Sequence, residues 1–171
     1  LARLPGRLSS TGDWLLLPEQ DRSKWNHGLI SLGLQWMHRS GVGDQCSQYH
    51  VEAAIAAEHC IAPSYRETNW LRIVELYNLL CTMQPSAIHA LNRAVAVAEL
   101  HGPAIGLKSL DAAKDSNSER LHLWPAVRGE FLRRLQDWAA ADREFAVAIR
   151  LCRSPADRRL RANRRAECRA A

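Results

Sequence analysis

The chain of 171 residues has little glycine or proline, few aromatic residues and no long apolar run. Nine glycines and seven prolines exclude collagen-like and low-complexity sequences. No stretch approaches the roughly 18 apolar residues that a membrane span needs, so we expect no membrane segment. The cysteine pattern described below favours a cytoplasmic protein. β-Branched residues are also few, which favours helices over sheets. What is present, 47% hydrophobic and 24% charged residues, is typical of a globular domain.

The five cysteines are an odd number and include no CxxC pair, which indicates reduced thiols used as small core residues. Cys46 and His50 lie one helical turn apart, and His59 and Cys60 follow on the same predicted helix. A metal site needs converging ligands, and position 59 is more than two turns beyond position 50. The remaining histidines show no ligand spacing. The sequence therefore predicts neither a metal site nor a cofactor.

Sequence motifs typical of catalysis are also missing. The chain has no G-x-S-x-G, no H-E-x-x-H and no glycine-rich phosphate loop. Two carboxylate pairs occur, Glu19 with Asp21 at a helix start and Asp142 with Glu144 on a predicted solvated face. Neither position favours general acid–base chemistry, so we expect that the chain is not an enzyme.

The net charge of +5 is confined to the C-terminal 19 residues. Residues 153–171 hold seven arginines and two carboxylates, so the other 152 residues are neutral. One interpretation is an arm that binds nucleic acid through Arg158, Arg161 and Arg165. The other is a solvated terminal helix, which we favour because no aromatic residue lies between the arginines to stack on bases.

Periodicity predicts a short irregular or hairpin segment over 1–20, with Gly12 in its turn, followed only by helices. The first helix is expected to begin near Asp21, and the third with Thr68 as its N-cap. Ser86 and Ser154 are expected to begin later helices. In the first helix, one apolar face is predicted to carry Trp25, Leu29, Leu32 and Trp36. Predicted helices cover about 21–40, 45–62, 68–83, 86–100, 103–113, 121–135, 137–152 and 155–170.

An internal repeat organises these helices. Gly129, Ala141, Phe145 and Ala148 have the spacing of small and aromatic residues found in a tetratricopeptide (TPR) repeat. Thirty-five residues earlier stand Ala94, Gly106, Leu110 and Ala113. We therefore predict an all-α, TPR-like array of antiparallel helix pairs. The expected domain covers 21–171, with repeats at about 45–85, 86–116 and 121–153 and a capping helix over 155–170.

Five segments in a fixed order resemble the long C-terminal extension of a group of bacterial extracytoplasmic-function (ECF) sigma factors. The resemblance covers about residues 7–155 and leaves out the arginine-rich tail. The sequence departs from the family at Asn69, where aspartate is usual. The segments are EQDRSKW (19–25), AAIAA (53–57), TNW (68–70) with Leu76-Tyr77, LNRAVAVA (91–98) and PAVRG (125–129).

The resemblance implies a regulatory, protein-contacting domain of a transcription-initiation factor. Its implied partners are core RNA polymerase and the factor's own promoter-recognition domains, and DNA contact would be made through those domains. The chain begins with Leu1 rather than methionine and carries no secretory signal. We therefore interpret it as part of a longer protein whose promoter-recognition domains lie upstream. Homodimer formation is left open.

Three residues are candidates for partner binding. Arg93 and Arg128 occupy equivalent places in two repeats, where they either hold acidic groups of a partner or pair with carboxylates of neighbouring helices. We favour pairing within the domain. Asn92 lies mid-helix, where its amide either holds a partner's backbone or satisfies a helix end.

A stand-alone helical-repeat adaptor that binds a peptide in its groove is the alternative function. This alternative predicts peptide binding that depends on Asn92 and Arg93.

Overall fold

The computed structural model describes residues 1–10, 12–43, 45–115, 118 and 121–171. Within these residues the chain forms eight α-helices, three short 3-10 helices and no strand, which confirms the predicted all-α class. The chain divides into two compact units, Leu1–Gln84 and Pro85–Ala171. In the described part, no helix is long and apolar enough to cross a membrane.

The N-terminal segment of the first unit is a turn closed by one antiparallel bridge between Leu8 and Trp14. Gly12, with φ of 79°, supplies the left-handed backbone conformation that the turn requires. Thr11, which belongs to the predicted turn, lies outside the described residues. Short 3-10 helices follow at Leu17–Glu19 and Arg22–Lys24. The irregular or hairpin N-terminal segment is thus confirmed.

Three helices complete the first unit: α1 at His27–Ser40, α2 at Gln48–Ile61 and α3 at Trp70–Met83. Helix α2 packs against both α1 and α3. The prediction that the first helix begins near Asp21 is wrong, because the Asp21 carboxylate accepts from the Ser23 amide at 2.9 Å and caps only a 3-10 turn. Asn26 is the N-cap of α1.

The start of α3 also differs from the prediction by one residue. Asn69, not Thr68, accepts a hydrogen bond from the Arg72 amide, at 3.1 Å. The Thr68 hydroxyl instead donates to the Ser64 carbonyl at 3.2 Å. Asparagine and aspartate cap helices about equally well, so Asn69 can cap α3 as an aspartate would.

The second unit contains five helices, and each packs against the next along the chain. Ser86 and Ser154 cap the first and last of them through the amides of His89 and Asp157, as predicted. The predicted loop residues Ser116 and Asn117 lie outside the described residues. The helices are α4 at Ala87–His101, α5 at Pro103–Ala112, α6 at Leu123–Arg134, α7 at Trp138–Leu151 and α8 at Pro155–Ala170.

Small residues allow these helices to approach closely. A Cβ built on Gly106 would lie 2.9 Å from the Ala98 Cα and 3.1 Å from the Ala94 carbonyl oxygen. A Cβ on Gly129 would lie 3.0 Å from the Phe145 ring. The repeat signature thus places its small residues where one helix pair meets in each of two repeats.

Replacing Gly106 by alanine is expected to lower the free energy of unfolding of the second unit. The obstructing atoms belong to the backbone and Cβ of α4, which cannot move aside like the end of a flexible side chain, so overpacking costs about 1–3 kcal/mol. Gly33→Ala in α1 is the matched control, since its Cβ would meet nothing within 4 Å. The control should gain up to about 1 kcal/mol from helix propensity. Urea unfolding measures both, and equal effects would contradict the close approach.

Candidate functional site

Helix α1 presents an apolar face to solvent. Leu29, Leu32 and Trp36 are 44%, 48% and 60% exposed, and no residue of α1 is fully buried. Trp25, predicted on the same helical face, precedes the helix and is only 3% exposed. Periodicity correctly identified the apolar positions of the helix, but it cannot say whether another element covers them.

An apolar groove of about 220 Å³ runs beside this face, between α1 and α2. On the α1 side it is lined by Leu29, Ile30 and Met37, and on the α2 side by Ala53 and Cys60, among others. The exposed face and the groove form one continuous apolar surface, which we call the α1 surface.

The base of the α1 surface is fixed by Trp25. The guanidinium groups of Arg3 and Arg22 lie 5.6 and 4.8 Å from the centre of its ring, within cation–π range. Gly6 leaves room for the indole, since a Cβ there would lie 2.8 Å from Trp25 Nε1. The amide of Asn26 also donates to the Ala2 carbonyl at 2.8 Å, so the start of α1 is held by the N-terminal segment.

Arg22 joins that segment to the C-terminal end of α2. Its Nη1 donates to the carbonyls of His59 and Ala62, both at 2.6 Å. Its Nη2 donates to the Thr68 hydroxyl at 3.3 Å. Carbonyls at the end of a helix have no partner within it and carry partial negative charge, which a guanidinium satisfies. Arg22 thus connects two of the segments that carry the family resemblance, EQDRSKW and TNW.

His59 is held neutral in the same region. Burial, together with the positive charges of Arg3 and Arg22, lowers the pKa of His59 to about 4. Its ring lies edge-on to Trp70, with centroids 5.5 Å apart. Among the described residues, the buried Nδ1 of His59 has no hydrogen-bond partner, and its ring contact with Trp70 contributes to packing.

In the second unit, Arg128 bridges three helices. Its Nε donates to Asp111 of α5 at 3.0 Å and its Nη1 to Glu144 of α7 at 2.6 Å. These two hydrogen bonds raise the pKa of Arg128. Arg93 donates to the Ser109 hydroxyl of α5 at 3.0 Å, and Asn92 is half-buried in α4. Partner binding by Asn92, Arg93 and Arg128 stays a prediction.

The arginines predicted to contact nucleic acid also make contacts within the second unit. Arg165 binds Asp142 with two hydrogen bonds, at 2.9 and 3.4 Å, and Arg158 donates to the Cys152 carbonyl at 2.8 Å. Burial lowers the pKa of Arg161. A nucleic-acid role for Arg158, Arg161 and Arg165 stays a prediction, and their internal contacts leave less charge available for it.

A third group of side chains was not indicated by any spacing in the sequence. The ligand atoms of His122, Cys152 and Asp157 all lie within 4.8 Å of one another. They come from the start of α6, the end of α7 and the first turn of α8. Because they are 30 and 5 residues apart, only the packing of these helices brings them together.

Comparison with known proteins identifies relatives but not their activity. Residues 1–41 match the model of a family of unknown function, DUF6596. An uncharacterized protein of Rhizobium meliloti (strain 1021) is 32% identical over 150 residues, which is 88% of this chain and 35% of the relative. The chain thus spans about a third of the length of that relative. No solved structure matches.

Replacing Arg22 by lysine is expected to lower the free energy of unfolding of the first unit by about 1–3 kcal/mol, because a single ammonium cannot reproduce the forked contacts. Arg72→Lys is the control, since Arg72 forms an exposed pair with Glu75 and should change stability by less than about 0.5 kcal/mol. Urea unfolding followed by tryptophan fluorescence measures both. A loss no larger than in the control would contradict the capping role.

The stability of the first unit is expected to fall as pH is lowered from about 6.5 to 4. Unfolded histidine takes up a proton near 6.5, whereas His59 in the folded state does so only at about 4, so acid favours the unfolded chain. This contribution is fully present above pH 6.5, and about 2 kcal/mol of it is lost by pH 5. Unfolding titrations at several pH values should show a shallower slope in His59→Gln. An unchanged slope would contradict the buried, neutral state.

Proposed function

We propose that this chain is the protein-contacting, C-terminal part of a transcription-initiation factor of the ECF sigma type. In this proposal the α1 surface binds the factor's own promoter-recognition domains and thereby sets whether the factor is active. The observation that carries the proposal is the exposed apolar face of Leu29, Leu32 and Trp36.

The spacing of these three residues suits a helix that docks on another protein. They stand at i, i+3 and i+7, the positions that anchor an amphipathic helix in an apolar groove. A central tryptophan that becomes buried contributes more to binding than the polar rim does. Three large apolar side chains that are exposed together are therefore better explained as a binding surface for a partner than as an ordinary solvent-exposed face.

The charged residues around the α1 surface indicate which kind of partner surface would bind there. Helix α1 contains no aspartate or glutamate, and His38 and Arg39 lie in its last turn. The Arg39 guanidinium lies 5.4 Å from the centre of the Trp36 ring, at the edge of the apolar face. A partner that offers an apolar helix face with acidic residues at its rim would complement this surface.

The comparisons support a sigma-factor context without specifying the role. The matched family occurs in proteins associated with sigma factors, and its model covers residues 1–41, which include all of α1. The Rhizobium meliloti relative is much longer than this chain, which agrees with further domains in the same polypeptide. The five segments that resemble the ECF extension support the more specific part of the proposal, a factor of the ECF type.

The test uses the complete protein encoded by the gene, after its sequence upstream of the codon for Leu1 is read. A photo-crosslinking amino acid at position 36 should crosslink to the promoter-recognition domains. Trp36→Ser should change promoter-specific transcription in vitro at least about tenfold, because loss of a buried tryptophan anchor commonly costs 2 kcal/mol or more. Tyr49→Ser is the matched control, since Tyr49 is 71% exposed on α2 and outside the α1 surface.

Two outcomes would overturn this proposal. One is an upstream sequence without promoter-recognition domains, which would leave the stand-alone peptide-binding adaptor as the better explanation. The other is a Trp36→Ser factor that transcribes and crosslinks like the Tyr49→Ser control.

A further inference from the structure

His122, Cys152 and Asp157 form a cluster of three different metal-ligand types in the second unit. The imidazole nitrogen, the thiol sulfur and the carboxylate oxygen lie within 4.8 Å of one another. Each belongs to a different helix terminus, so the cluster joins the start of α6 to the connection between α7 and α8.

The short connection between α7 and α8 holds two of the three groups in place. Cys152 follows the last residue of α7, and its amide donates to the Ala148 carbonyl at 3.0 Å. Its carbonyl accepts from Arg158. Asp157 lies in the first turn of α8, where its amide donates to the Ser154 hydroxyl at 3.3 Å. Both side chains therefore project from a backbone with few remaining degrees of freedom.

The cluster is polar, yet its side chains are weakly engaged. In the described part of the chain, no hydrogen bond or ion pair within 4 Å involves the His122 ring or the Asp157 carboxylate. Cys152 is 1% exposed, and its thiol donates a hydrogen bond to the Ser154 carbonyl at 3.5 Å. A buried polar group normally has a partner, and a bound cation would give Cys152 one that it shares with His122 and Asp157.

We propose that His122, Cys152 and Asp157 bind a zinc ion. Thiolate, imidazole and carboxylate together are a ligand set that suits Zn²⁺, with three protein ligands and a water molecule in the fourth position. Ligand atoms around tetrahedral zinc are separated by about 3.4–3.8 Å, so the three groups need to draw together by about 1 Å. The ion would connect α6 to the start of α8.

The charge of the cluster agrees with this assignment. A thiolate and a carboxylate supply two negative charges, which one divalent cation neutralises. Arg161 lies one turn beyond Asp157, and its buried Nε has no hydrogen-bond partner among the described residues. Its guanidinium interacts electrostatically with both Asp157 and Cys152. This positive charge opposes a cation, so two anionic ligands are needed to offset it.

The test titrates Co²⁺, a spectroscopic substitute for Zn²⁺, into the full chain after metal removal and under reducing conditions. Binding at the cluster should give a thiolate-to-cobalt charge-transfer band, and added Zn²⁺ should remove it. Cys152→Ser should abolish the band. His122→Ala and Asp157→Asn should weaken binding by at least about tenfold, the loss that changes around metal sites commonly cause.

Matched controls separate this site from the other thiols. Cys168→Ser removes the other buried cysteine, which lies in α8. Cys46→Ser removes the exposed thiol near His50. Both should keep the band. Asp157→Asn retains the backbone cap of α8, so it tests the site even if Cys152→Ser does not fold, with helical circular dichroism as the check.

The proposal is overturned by an absent charge-transfer band in the unaltered chain, or by a band that survives Cys152→Ser but not Cys46→Ser. The proposal would also be overturned if the His122→Ala and Asp157→Asn variants both bound Co²⁺ as tightly as the unaltered chain does. None of these measurements involves a protein partner, so they stand apart from the proposed docking of α1.

Discussion

The guanidinium of Arg22 is the contact on which the first unit depends. It donates to two carbonyls at the end of α2 and to the Thr68 hydroxyl before α3, while its face lies against Trp25. One side chain thereby fixes the N-terminal segment, the helix pair and the start of α1 relative to one another. Lysine has the same charge but lacks the planar fork, so charge alone does not explain the residue at this position.

The second unit is organised by close packing instead. Gly106 and Gly129 allow helix backbones to approach, and Phe145 and Leu110 fill the space beside them, each almost fully buried. Arginines then connect the helices on the outside, as Arg128 and Arg165 do. The two units are thus stabilised in different ways. Part of the arginine content of the second unit serves ion pairs between its own helices.

The sequence predicted the features that depend on residues close together in the chain, and it did not predict contacts between distant residues. The helical class and the small residues at helix crossings follow from periodicity and from the spacing of Gly129 and Phe145. Helix starts at Ser86 and Ser154 were also correct. The cap of α3 was misplaced because Thr68 and Asn69 are adjacent and both can cap. Arg22 contacts residues 37 or more positions away, and His122 lies 30 residues before Cys152. No local pattern indicates contact at such separations.

The absence of fully buried residues in α1 has a consequence for its dynamics. A 14-residue helix is marginal in water by itself and is held here by half-buried side chains and its anchored first turn. Its amide protons should exchange by local opening, at a lower free energy than those of α2 or α3. A partner that covered α1 would therefore also stabilise its helical state, so its binding and the local folding of α1 would be coupled.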